Sequence, residues 1–270
     1  MKMIAVLNRD GGTFRTTDMA AYAEKARQVF SDAGDELEVL VCAGKDMPKT
    51  MDRVVRRDDI DAIIAGGGDG TISTAAGIAW KNGMPLGVIP AGTMNLFARS
   101  LKLPLDIWSV LETLAKGEIR DADIGSADGK AFVHQFSAGM HARMVRFRNA
   151  LRYRSRAGKI VANVRASVGV MLNPPEFELE FDVEGHQERR IVSAISVSNN
   201  PFGRNGLLIP DNLTAGHLGI YFAEPLRPAG AAKLAVDILR GRLRENASIT
   251  EMQAKSVDLH FPRVYRSANY

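Results

Sequence analysis

The sequence predicts an α/β chain whose first half is a parallel sheet wound on both faces and whose second half is rich in β-strand. Three observations carry this. Up to about Lys116, short apolar runs alternate with segments of helical period. Each of three of those runs is followed by a loop that carries glycine and a small hydroxyl residue. After about residue 120 helix signals become rare and strand-like runs follow one another. Strands alternating with helices indicate parallel pairing, because a parallel connection needs a crossover long enough to hold a helix.

The elements justify this in order. Met3 to Leu7 is a short apolar strand, followed by the polar loop Asn8-Arg9-Asp10-Gly11-Gly12-Thr13. Met19, Tyr22, Ala23, Ala26, Val29 and Phe30 fall on one face of a helix that Gly34 stops. Leu37 to Cys42 is a second strand and Lys49 to Arg57 a polar helix. Ile60 to Ala65 is a third strand, leading into Gly66-Gly67-Gly68-Asp69-Gly70-Thr71 and a helix over Ile72 to Trp80, which Asn82-Gly83 ends. Leu86 to Ile89 is a fourth strand, and Pro90 to Asn95 the loop after it. Beyond Pro104, Ile107, Val110, Leu111 and Leu114 make another helical face. The second half reads as strands over Phe132 to Ser137, Phe177 to Val183, Ile191 to Ser198 and Leu218 to Phe222, with a hairpin turn at Glu184-Gly185-His186. A helix through Ala231 to Leu239 follows, then strands at Ile249 to Met252 and Ser256 to Phe261, and the start of another at Val264-Tyr265-Arg266.

In such sheets ligands sit outside the carboxyl ends of the strands, where strand order reverses. The loops at Asn8 to Thr13, Gly66 to Thr71 and Pro90 to Asn95 leave those ends, and together they suit an anion. Glycine lets the backbone approach a bulky anion, and the helix behind the turn adds free N–H donors and the positive end of its dipole. Asp69 is the exception, since a carboxylate beside a polyphosphate makes sense mainly with a divalent cation between them. The plainer reading is a tight βα turn with an N-capping Asp or Thr, and Thr93 and Asn95 also read either as helix caps or as ligand contacts.

The composition is that of an ordinary soluble protein, with 46% hydrophobic and 24% charged residues, and no apolar run is long enough to span a bilayer. The opening MKMIAVLN is too short for a signal peptide, and a single cysteine, Cys42, fits a reducing cytoplasm. The five histidines show no metal-ligand spacing. Net charge is +4, unevenly placed: Arg143 to Arg165 holds eight basic residues and no acid, with Ile160, Val161, Val164, Val168, Met171 and Leu172 on one helical face. Such a segment suits an anionic membrane surface, or is simply a solvated basic face. Nucleic acid is disfavoured, as stacking aromatics are sparse there.

GGGDGT at 66–71, followed by PAGTMNLFAR at 90–99, resembles the diacylglycerol kinase catalytic-domain family, which includes bacterial lipid kinases and sphingosine kinases. Asn8 to Gly12 is a loose match to that family's N-P-x-x-G opening, and Phe132 to Gly139 and Val197 to Asn200 also match. The resemblance implies a Rossmann-like nucleotide-binding domain over residues 1–122 and a β-sandwich over 123–270, with ATP and a lipid hydroxyl meeting in the cleft between them. It implies that Gly67, Gly68, Asp69, Gly70, Thr71, Ile72 and Ser73 hold the ATP phosphates, with Asn8, Cys42, Gly92, Thr93 and Asn95 near the nucleotide and Mg²⁺ at Asp69. A cytoplasmic protein that meets the inner membrane surface peripherally is the matching expectation.

Three positions depart from the family pattern. Leu96 stands where relatives have Asp. Ala215-Gly216-His217-Leu218 replaces D-G-x-L, so the structural cation held there is expected to be absent. No D-G-E motif, the family's proposed source of a general base, occurs; the chain reads as truncated before it. Asp211, Glu184 and Glu251 are candidate acids without motif support, and the catalytic residue stays unassigned. An NAD kinase-like enzyme, and a nucleotide- or lipid-binding module without turnover, are the alternatives.

Overall fold

The computed structural model describes residues 1–140, 168–203 and 208–262. The chain divides into two units, Met1–His134 and Gln135–Tyr270.

The first unit is built on a parallel sheet in the order β2-β1-β3-β4, formed by β1 (Lys2–Asn8), β2 (Glu36–Cys42), β3 (Ala62–Gly67) and β4 (Leu86–Pro90). Alternation along β1 explains why both faces are covered. Ile4 and Val6 pack with α2 (Met47–Val54) and α3 (Asp69–Lys81) on one face. Met3, Ala5 and Leu7 pack with α1 (Met19–Asp32) and α5 (Ser109–Ala115) on the other. Asp18 caps α1, its carboxylate accepting from the Ala20 and Ala21 N–H groups. The polar helix ends at Val54 and not at Arg57, and Arg57, beyond its end, pairs with Glu38 and Asp59.

An antiparallel hairpin of β5 (Gly125–Ala127) and β6 (Lys130–Phe132) belongs to this first unit. Ala131 lies beside Gly77 of α3, where a Cβ on the glycine would stand 3.1 Å from the alanine methyl. The division therefore falls at residues 134/135, whereas the composition change suggested 122/123.

The second unit pairs two antiparallel sheets. One runs β12-β11-β10-β7, from β7 (Gln135–Gly139), β10 (Ala194–Ser198), β11 (Leu218–Ala223) and β12 (Ile249–Ala254). The other runs β13-β8-β9, from β8 (Phe177–Val183), β9 (His186–Val192) and β13 (Asp258–His260). Leu179, Phe181 and Val183 of one sheet meet Ile195, Val197, Ile220 and Phe222 of the other, forming a β-sandwich core. The β8–β9 turn has positive φ at Glu184 (53°) and Gly185 (88°), the type I′ geometry that suits a two-residue hairpin. A last helix, α6 (Pro228–Leu239), packs through Ala231 and Leu234 on the outer face of the four-stranded sheet, and residues 168–172 are helical.

Two strands read from the sequence are each two strands. Phe132 to Ser137 splits into the end of β6 and the start of β7, which lie in different units. Ile191 to Ser198 splits at Ser193 into β9 and β10, which lie in different sheets. Ser193 is fully buried and fastened three ways: its N–H donates to Ala223 O, its carbonyl accepts from Met140 N–H, and its hydroxyl accepts from Leu226 N–H. The basic segment 143–165 and the strand start at 264–266 lie outside the described residues.

Candidate functional site

In the first unit, α1 leads from β1 to β2 on one side of the sheet and α2 leads back to β3 on the other, so order reverses between β1 and β3. The three glycine loops meet at this point, and backbone contacts hold them together. Thr13 N–H donates to Ala91 O at 2.9 Å, and Ala91 N–H to Gly67 O at 2.9 Å. Asn8 Nδ2 donates to Thr71 Oγ1 at 3.0 Å, tying the first loop to the third strand's helix.

The glycines play different parts. A Cβ on Gly92 would stand 2.6 Å from Gly68 Cα, and one on Gly67 would stand 2.6 Å from the Thr71 side chain. A Cβ on Gly66 would meet Leu7 and Phe14, and one on Gly12 would meet the Ala91 carbonyl at 2.9 Å. These glycines are required by the protein's own packing. Gly70 is not. Its φ lies outside the left-handed region, it is exposed, and nothing comes within 4 Å of a Cβ built on it.

The loop expected over Gly66 to Thr71 is much shorter than the sequence suggested. β3 runs through Gly67 and α3 opens at Asp69, so Gly68 alone makes the turn and Asp69, Gly70 and Thr71 form the first helical turn. Gly68 is the N-cap, and no side chain caps α3. The N–H groups of the first turn are therefore directed outward at the sheet edge. Ile72 does not share in this: its side chain is in the core and its N–H donates to Gly68 O. Ser73, one residue further along α3, is half-buried.

Thr93 is not a helix cap. Asn95 is the N-cap residue of α4 (Leu96–Ser100), with φ 51° in the left-handed region, while Thr93 is exposed on the loop. Asn95 instead holds its own turn: its Oδ1 accepts from Gly92 N–H at 2.8 Å and its Nδ2 donates to Gly92 O at 3.1 Å. The Asp69 carboxylate accepts from Leu96 N–H at 2.6 Å and from Asn95 N–H at 3.0 Å.

At the β1–β2 side, Asn8 and Cys42 are register partners, and Arg9 N–H donates to Cys42 O. Cys42 is half-buried with its sulfur 3.3 Å from Met47 Sδ; burial pushes its thiol pKa up, so it is protonated at neutral pH. Asp10 also belongs to this rim, accepting from Gly44 N–H at 2.8 Å. Sequence reasoning did not single it out, since the pairing joins residues 34 apart; the Gly11-Gly12 doublet beside it was the available signal.

Among the described residues no group of three His, Cys, Asp or Glu is placed to hold a metal. The expected ligand, Asp69, has both carboxylate oxygens engaged by the Leu96 and Asn95 N–H groups, so a magnesium ion, which commonly keeps waters and takes one or two carboxylates besides phosphates, would have to share them. Of the candidate acids, Glu184 lies on the β8–β9 turn, Asp211 stands against Gly203, and Glu251 is held by Arg244. Among the described residues no helix is long and apolar enough to cross a membrane.

The second unit contains a separate cavity of about 200 Å³ under α6. Met140, Val170, Met171, Leu234, Ile238 and Ile249 give it an apolar wall, and Gln135 and Ser196, bonded to each other at 3.0 Å, its polar floor.

Residues 2–127 match the family model of the diacylglycerol kinase catalytic domain. A diacylglycerol kinase of Bacillus subtilis strain 168 is 28% identical over 239 residues, covering 86% of this chain and 78% of the relative. Those of Staphylococcus saprophyticus and Staphylococcus haemolyticus are 27% and 26% identical over 202 and 211 residues, 74% and 77% of this chain. The matched stretch spans 66% and 63% of those two proteins, so the chain covers slightly under two thirds of their length. The crystal structure of a diacylglycerol kinase from Bacillus anthracis strain Sterne superposes with TM-score 0.69 at 18% identity, over 96% of this chain and 86% of the other. A second structure from that strain gives 0.75 at 20% identity, over 96% and 84%. The structural likeness is one of fold, and it extends over both units.

Proposed function

We propose, for a chain whose residues 2–127 match the family model of the diacylglycerol kinase catalytic domain, that it binds ATP at the head of α3 and transfers the γ-phosphoryl group to a lipid hydroxyl. The observation that carries the nucleotide reading is Gly70. Glycine in a helix costs about 0.5–1 kcal/mol relative to alanine, and here neither backbone conformation nor packing demands it. A group from outside the protein that approaches the Gly70 N–H supplies the reason. The uncapped first turn of α3 offers the donors, and the helix dipole favours an anion there.

Phosphoryl transfer depends chiefly on positioning and on neutralising charge. The first-turn N–H groups would hold the phosphate oxygens, and Thr93, exposed on the adjoining loop, would add a hydroxyl. Asn8 would keep Thr71 oriented through its 3.0 Å bond. Mg²⁺ carried on the triphosphate would supply charge neutralisation on the transferred group. The apolar cavity under α6 suits the hydrocarbon of the lipid, with Gln135 and Ser196 as polar contacts. The proposed setting is the cytoplasmic face of a membrane, with contact through the basic segment 143–165.

Transfer of label from γ-labelled ATP to a lipid extract tests the reading. A labelled phospholipid that appears only with the protein and Mg²⁺ is expected. ATP binding with no lipid labelled would leave a nucleotide-binding module. No ATP binding at all would overturn both.

A further inference from the structure

We infer that Asp69 is a positioning residue, whose carboxylate fastens the 91–95 turn to the head of α3 and so assembles the nucleotide site before any metal arrives. This rests on the proposed nucleotide site, but its structural half can be tested without a ligand.

Both carboxylate oxygens are already used. Oδ1 accepts from Leu96 N–H at 2.6 Å and Oδ2 from Asn95 N–H at 3.0 Å, the two consecutive amides at the start of α4. Bonds from N–H groups to an ionised carboxylate are among the stronger ones, and two together fix orientation as well as distance. The contact then closes on itself. Asn95 takes a left-handed backbone that few residues other than glycine adopt, and its amide grips Gly92 through both N–H and C=O. Gly92 lies directly against Gly68, where a Cβ would come within 2.6 Å of Cα. Gly68 precedes Asp69 in sequence. The circuit Asp69–Asn95–Gly92–Gly68 thus starts and ends at one turn, and it sets the distance from the α3 first turn to Thr93.

A resident metal on Asp69 would have to compete with this arrangement. Turning the carboxylate away would strip two amides of their acceptor, and Asn95 is buried to 8% exposure, where water does not readily replace one. Sequence alone merges two roles for Asp69 that differ in when they act. A metal ligand acts only when Mg²⁺ is present. A clamp acts on free nucleotide and on the empty protein equally.

Amide hydrogen exchange of the full chain without nucleotide is the first test. The Asn95 and Leu96 amides should exchange slowly in the wild type, unaffected by Mg²⁺, and about tenfold or more faster in Asp69→Asn, the change expected when a charge-assisted bond is lost. The second test is ATP affinity with Mg²⁺ and with EDTA. Asp69→Asn should weaken both by a similar factor and leave the midpoint for Mg²⁺ unchanged. Unchanged exchange at Asn95 and Leu96 overturns the inference. So does unchanged affinity in EDTA with a raised Mg²⁺ requirement, which identifies a metal ligand. If Asp69→Asn does not fold, exchange in the wild type decides: acceleration of those two amides by Mg²⁺ refutes the clamp, and indifference supports it. If the wild type binds no ATP, the proposed function fails while the exchange result still judges the clamp.

Discussion

Replacing Gly70 by alanine should make the protein more stable and worse at binding ATP. The stability half follows from the position. Gly70 is in the first turn of α3, has no left-handed φ, and a methyl group there meets nothing within 4 Å. Removing a helical glycine under those conditions gains about 0.5–1 kcal/mol, chiefly by reducing the freedom of the unfolded chain. For a unit of this size that corresponds to a rise of about 1–4 °C in the melting temperature. The binding half follows from where the methyl points. It fills the open space beside the first-turn N–H groups, and a phosphate oxygen displaced from them should lose about tenfold or more in affinity, or some 1.4 kcal/mol. Calorimetric melting of the free protein and titration with Mg-ATP give the two numbers. A variant that binds ATP as the wild type does would refute the placement of the phosphates. A variant that melts lower would show that the first turn of α3 is not as described.

Gly92→Ala should behave in the opposite way to Gly70→Ala: its methyl meets backbone at Gly68 that has no flexible end to give, so a loss of about 1–3 kcal/mol is expected in denaturant unfolding. Tyr221→Phe removes the hydroxyl that accepts from the buried Phe202 N–H at 2.7 Å and should cost the second unit about 1–3 kcal/mol, read by urea unfolding, with ATP affinity unchanged. Because burial raises the Cys42 thiol pKa, the folded protein keeps that proton at a pH where the unfolded chain loses it. Stability should then fall as pH rises through the unfolded thiol's pKa, and Cys42→Ala should remove that part of the slope in melts across the alkaline range.

Patterns of period two and of helical period act within a few residues, so they could be read directly. The apolar run of β1, the stripe of α1 from Tyr22 to Phe30 and the Glu184-Gly185 turn are all where the sequence puts them. The meeting of the three glycine loops was also legible, since a parallel sheet with this alternation brings its strand ends to one edge. Breaks were not. Ser193 reads as an ordinary strand residue, and only its bonds to Met140, Ala223 and Leu226, each far away in sequence, make it the point where the chain changes sheet. Phe132 and Gln135 look continuous until the first joins a hairpin beside α3 and the second a sheet of the other unit. The glycine motif itself shows the same division. Sequence alone established that the turn at 66–71 is built for close backbone approach. Tertiary structure decided which approaches are internal, at Gly66 and Gly67, and which position is left open, at Gly70. It also turned the Asp69 carboxylate toward amides 26 and 27 residues away. Local propensity is a property of neighbours in the chain, whereas the partner of a hydrogen-bonding group is fixed by whatever the fold carries next to it.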